Sequence, residues 1–249
     1  MAFDPLHQFE IHEVYPVELL GYQVPVTNQT VWMFMASIAT LLFLWSGIRR
    51  KEMVPGRFQA FVEMTFEMVY NMVKDNAGRE GLKYLPFVMT IFFFIAFINL
   101  LGMVPGSYTP TSQIFMTASM ALMVFALVLI IGFFKHGMRF FSLFWPPDTP
   151  WYMGILIAPL EVISFIARPF TLCVRLTANM LAGHILVKVF ASFVIMLLGF
   201  GALVGPVAGS MPFLALIAIS ALEFLVAVLQ AYVFAILTAI YLNDALHLH

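Results

Sequence analysis

The chain has 249 residues, 62% of them hydrophobic and only 10% charged, against roughly 45–50% and about 25% in ordinary globular domains, which places it in a bilayer. A formal net charge of -1 leaves no basic excess for nucleic acid and no acidic tail. The single cysteine, Cys173, excludes an intrachain disulfide and any cysteine-clustered zinc or iron–sulfur site.

Residues 1–30 open on a polar, acidic stretch (Asp4, Glu10, Glu13, Glu18) without the basic and apolar pattern of a cleavable signal. Three segments, 31–48, 84–104 and 114–134, carry the ~20 apolar residues that a bilayer crossing needs. Between the first two lies 58–73, apolar but interrupted by Glu63, Glu67 and Asn71 at i, i+4 and i+8, one polar stripe on a helix. Both ends of this piece are basic (Arg49, Arg50, Lys51, Arg57; Lys74, Arg79, Lys83). It is therefore predicted to lie on the cytoplasmic surface as an amphipathic helix.

Residues 152–198 are almost unbroken and helix-compatible, roughly 70 Å if straight, more than twice the hydrocarbon thickness. Pro159 and Pro169 are the natural places for such a helix to bend, unless it runs strongly tilted. A Gly/Pro-rich turn is expected over 199–212, with 213–242 returning antiparallel. Of the twelve Lys and Arg, Lys135 and Arg139 join the basic residues named above in two connections, and the remaining three, Arg168, Arg175 and Lys188, fall inside the long helix. The positive-inside rule then sets both basic connections in the cytoplasm, the N-terminus and 102–113 outside, and the C-terminus in the cytoplasm. The expected fold is an all-α polytopic membrane protein, a single membrane domain over 1–249. An outward segment fills 1–30, spans and surface helix 31–134, and a long tilted helix pair 140–249.

Charges inside a span cost at least ~2.5 kcal/mol each on insertion scales and mark ion paths or paired groups. At 100° per residue, Asn179, Thr171, Arg168, Ser164 and Glu161 all fall within about 40° of Arg175, a polar ladder on one face. His184, with Lys188 near it, points about 180° away. On the returning helix Glu223, Gln230 and Tyr241 align, and the antiparallel register sets Arg175 level with Gln230 and His184 level with Glu223. This pattern suits proton relay through two half-paths separated by a fixed positive charge, since a guanidinium is not deprotonated in proteins. His184 and Glu223 suit an entry path, and Glu161 with Ser164 an exit path. Arg168 and Lys188 read as snorkelling or lipid-paired cations, and Tyr241, Trp32 and Trp151 as interfacial anchors.

The run from Arg168 to His184, RPFTLCVRLTANMLAGH, resembles the arginine-bearing segment of subunit a of rotary ATP synthases. QAYVFAILTAIYL from Gln230 resembles the last helix of that family, and NLLGMVP from Asn99 the end of an early span. The resemblance implies a non-catalytic proton-channel stator, with ATP chemistry on other subunits and no cofactor or metal. Arg175 would be the obligatory arginine, Gln230 and Asn179 its polar neighbours, and Glu223 with His184 the lining of the outer half-channel. Some members carry the acid and the histidine in the reverse order. The implied partners are a ring of small proton-carrying subunits (the c-ring), b-type subunits of a peripheral stalk, lipid and protons, in a bacterial inner membrane. A self-contained transporter would show repeated halves, and a haem-bearing respiratory subunit would want paired intramembrane histidines; neither pattern is found.

Overall fold

The computed structural model describes residues 11–19, 22–49, 56–104, 106–137, 140, 151–199 and 205–246. Its helices are α1 (Asn28–Arg49), α2 (Arg57–Gly81), α3 (Leu85–Gly102), α4 (Ile114–His136), α5 (Trp151–Leu198) and α6 (Gly205–Leu246). Among the described residues, five helical stretches are long and apolar enough to cross a membrane: Asn28–Gly47, Arg57–Gly102, Ile114–His136, Leu156–Leu198 and Val207–Leu246. The expected helical, polytopic fold is thus present.

The second stretch joins α2 to α3, and the two differ in kind. Glu63, Glu67 and Asn71 are exposed while Val62, Val69, Met72, Val73 and Ala77 are buried, so α2 is two-faced. Its helical path breaks at Gly78, whose φ of 66° and ψ of -169° are open to glycine at little cost. A 3-10 turn, Leu82–Tyr84, then leads into the predominantly apolar α3.

Two features depart from the sequence reading, and a third settles an alternative it left open. A hairpin, β1 (Glu13–Leu19) against β2 (Tyr22–Thr27), precedes α1, antiparallel with Val17 opposite Val24. Pro16 faces Pro25 across it, tolerable because a two-stranded ribbon leaves each strand an outer edge. The helix α5 continues through both Pro159 and Pro169, the unbroken alternative of the sequence reading. The expected turn over 199–212 is mostly helix, since α6 begins at Gly205. Pro206 stands in its first turn, where no amide partner is lost. Pro212 is inside the helix, where neighbouring groups can satisfy the freed carbonyl.

The described packing forms two compact units. One draws on Met1–Ala39, Ile95–Gln113 and Leu176–Gln230. In it, α5 and α6 run antiparallel: a Cβ on Gly209 would touch the Leu198 side chain at 3.3 Å. Asn99, fully buried, fastens three segments, donating to the Ala227 carbonyl at 3.3 Å and accepting from Thr111 at 2.9 Å. Both the amide nitrogen and the carbonyl oxygen of Asn99 are thereby matched, as a low-dielectric interior demands.

The other unit draws on Thr40–Phe94, Ile114–Arg175 and Ala231–His249. Phe43 packs against Phe58, Phe61 and Phe93, with ring centroids 5.5–6.1 Å apart. The absence of a side chain at Gly132 admits the buried Phe140 ring, which meets Phe133 and Phe165. Cys173 is buried on α5, 3.3 Å from Thr117 of α4. At the helix ends, Lys135 pairs with Glu80, and His136 lies 3.2 Å from the Leu246 carbonyl.

Candidate functional site

In the first unit, His184 on α5 and Glu223 on α6 come together: Nδ1 lies 3.2 Å from Oε1, and both side chains are shielded, at 12% and 7% exposure. Gly183 makes the approach possible, since a Cβ there would stand 2.9 Å from Glu223 Oε1. The other imidazole nitrogen, Nε2, lies 2.8 Å from the hydroxyl of buried Thr109, in the connection after α3. A cavity of about 310 Å³ opens beside the pair, lined by Gly102, Met103, Val104, Gly106, Ser107, His184, Val187, Lys188, Ser220 and Glu223. It brings two titratable groups, a lysine and two hydroxyls to one polar space, with room for several waters. Tyr108, also buried, is pushed above its ordinary pKa by desolvation, with the Gln113 side chain pulling the other way.

Gln230, 3% exposed, accepts a hydrogen bond from Asn179 at 3.1 Å. Asn179 and Gln230, expected as polar neighbours on the two long helices, are thus in direct contact. The Gln230 Nε2 is buried without a hydrogen-bond partner among the described residues, and so retains a donor.

In the second unit, Arg175 is exposed, as are Thr171 and Ser164, while Glu161 is half-buried. Between them Leu172, Cys173 and Phe165 are buried. The polar residues of α5 thus present a charged and hydroxylated strip that the rest of this unit leaves uncovered. Arg168 is the exception. Its Nη1 lies 2.6 Å from Asp244 Oδ2, and its guanidinium sits 5.2 Å from the centre of the Tyr241 ring. The expectation that Arg168 snorkels to lipid is corrected by this partly buried ion pair, and Tyr241 serves as its aromatic floor. Lys188, which the helical wheel set near His184, lines the polar cavity with it. The side chain of Trp151 falls outside the described residues, and Trp32 is half-buried.

The sequence reading missed Thr109, Ser107, Gly102, Gly183 and Asp244. The signal available for Thr109 and Ser107 was the concentration of Ser and Thr in 102–113, a connection that entered the sequence reading only through its lack of Lys and Arg. For a metal, His184 and Glu223 supply two donors; among the described residues no group of three His, Cys, Asp or Glu side chains converges.

The sequence profile of the ATP synthase A chain family matches residues 30–243. The chain belongs to that family. Among its relatives, ATP synthase subunit a of Hyphomonas neptunium is 48% identical, over 99% of this chain and 97% of the relative. The subunits a of Mesorhizobium japonicum and Rhodospirillum rubrum are 46% and 44% identical, each over 98% of this chain and over 96% and 99% of the relative. Membership explains why an apolar chain holds so many intramembrane polar groups. The described residues that carry them lie on α5, on α6 and in the connection after α3, and all but Asp244 fall within the matched region.

Proposed function

We propose that this chain is the proton-translocating stator of a bacterial ATP synthase, offering two offset half-channels to the carboxylates of a rotating c-ring. The observation that carries this reading is the shielded His184–Glu223 pair beside a polar cavity, together with an uncovered arginine on α5. Protons enter through the cavity, pass His184 and Glu223, and reach a ring carboxylate; Asn179 and Gln230 line the approach. Arg175 keeps the facing ring carboxylate ionised and bars direct passage. After rotation, protons leave past Glu161 and Ser164. ATP chemistry takes place on other subunits, and b-type subunits of a peripheral stalk hold the chain against the torque.

The test is purification of the assembled membrane sector and reconstitution in vesicles. Small two-helix subunits should accompany the chain, and an imposed membrane potential should drive proton uptake. A chain that purifies alone and conducts without a ring would return it to the transporter class.

The proposed orientation has its own measurement. Cys173 is only 5% exposed, so the native thiol is protected from membrane-impermeant maleimide. A Ser107→Cys variant should then be labelled from the outer side, and a cysteine placed near residue 137 only from the cytoplasmic side. The inverse pattern would overturn the proposed topology.

A further inference from the structure

We propose that Thr109 is a positioning residue: its hydroxyl holds neutral His184 as the Nε2–H tautomer, so that proton exchange runs through Nδ1 alone, on the Glu223 side. The inference rests on the reading of His184 and Glu223 as the proton route.

Thr109 is buried, and its hydroxyl lies 3.1 Å from the Gly102 carbonyl and 2.8 Å from His184 Nε2. A hydroxyl has one proton to give. A carbonyl oxygen can only accept, so with that proton on Gly102 the Thr109 oxygen accepts from Nε2–H. The Nδ1 lone pair is then left toward Glu223 Oε1, 3.2 Å away. Gly102 is built for this contact: a Cβ there would stand 2.6 Å from the Thr109 oxygen. The neighbouring Ser107 hydroxyl lies 2.7 Å from both the Gly102 and the Val104 carbonyl oxygens.

The arrangement has a property that a relay requires. Thr109 accepts from Nε2–H in both the neutral and the protonated imidazole, so no hydrogen bond on that side must reverse when His184 changes charge. With the opposite tautomer Thr109 would donate to Nε2, and each protonation would force its hydroxyl to turn. The step itself is balanced: the carboxyl proton of Glu223 moves to Nδ1, leaving a carboxylate and an imidazolium, and the reverse transfer restores both. Lys188, one turn along α5, and Glu223 from α6 are the other charged groups lining the cavity beside His184. A fixed tautomer aimed by its second nitrogen is the usual way a protein sets histidine chemistry.

The experiment uses the assembled membrane sector in vesicles, with nitrogen-15 in its histidines and His184 assigned by the signal lost in His184→Gln. The native complex should show a protonated Nε2 and an imine-like Nδ1. Thr109→Val should lose that preference and slow proton uptake about three- to tenfold, the scale of one neutral hydrogen bond. Thr109→Ser, which keeps the hydroxyl, should hold the tautomer and stay within about twofold of native flux. Gly102→Ala, which displaces the hydroxyl without removing it, should resemble Thr109→Val. Assembly of each variant is checked by its yield with the ring. An Nδ1–H tautomer in the native complex overturns the inference, as do native signals and flux in Thr109→Val while His184→Gln is defective. Native flux in His184→Gln removes the proton-route reading, and the transport half of this inference with it.

Discussion

An Arg175→Ala complex should assemble normally and yet lose ATP-driven proton pumping by roughly two to three orders of magnitude, while passive leak through it persists or rises. Arg175 is exposed in its unit, so truncation opens no core cavity, and a change at such a site costs the fold only about 0.5 kcal/mol. Its proposed work is toward a partner. Removing one member of a closely apposed charge pair costs about 2–5 kcal/mol, or roughly 30- to several thousandfold in a rate. The same truncation removes the positive barrier between the half-channels. Arg175→Lys should recover little, because an ammonium is a localised charge and can shed its proton in a low dielectric, whereas a guanidinium cannot. The measurement is acidification of vesicles on ATP addition, with hydrolysis followed in parallel. Coupled pumping at the native rate by a correctly assembled Arg175→Ala complex would remove Arg175 from the mechanism.

The bilayer made much of the fold legible. A helix that crosses hydrocarbon must satisfy its backbone internally and coat itself in apolar side chains, and this constraint marked α1, α3, α4, α5 and α6 in the sequence. Glu63, Glu67 and Asn71 marked the exposed face of α2 by the same arithmetic. The start of α6 was not legible, because the glycines and prolines of 205–212 signal a turn in water but are common in apolar helices. The hairpin was hidden by Pro16 and Pro25, residues that demote a strand.

Within the site, the level of His184 with Glu223 followed from antiparallel register alone. Their contact at 3.2 Å depends on Gly183, a steric condition that spacing does not reveal. The Asn179–Gln230 bond joins two residues that the sequence reading set together as polar neighbours, but the choice of Asn179 as the direct partner depends on side-chain reach, which spacing does not reveal. Arg168 was misread for a different reason. Its partner Asp244 lies 76 positions on in the chain, near the end of α6, and a helical wheel drawn for α5 contains no trace of it. Residues brought in by a connection, as Thr109 is, have no periodicity to betray them.

The His184–Glu223 pair gives the second large effect. Glu223→Gln retains the shape but can neither release nor bind a proton, and His184→Gln likewise removes the titrating ring; each should slow proton entry at least tenfold, within the range of a lost acid–base group. Exchanging the two residues should restore part of the activity if they work as one relay, since the register that joins α5 to α6 is symmetric with respect to which helix bears the acid. The recovery should be incomplete. Gly183 makes room for a carboxylate arriving from α6, and Thr109 is placed to meet an imidazole on α5, so neither support matches the exchanged residues. Gly183→Ala offers an independent probe, because its Cβ would press on Glu223 Oε1 at 2.9 Å without altering any titrating group. It should slow entry less than Glu223→Gln does, and the yield of assembled complex separates this from misfolding. All of these are read as proton uptake by vesicles at a fixed imposed potential. Native uptake in both glutamine variants would show that protons enter elsewhere, and an exchange variant as inactive as either single change would break the claim that the two side chains form one relay.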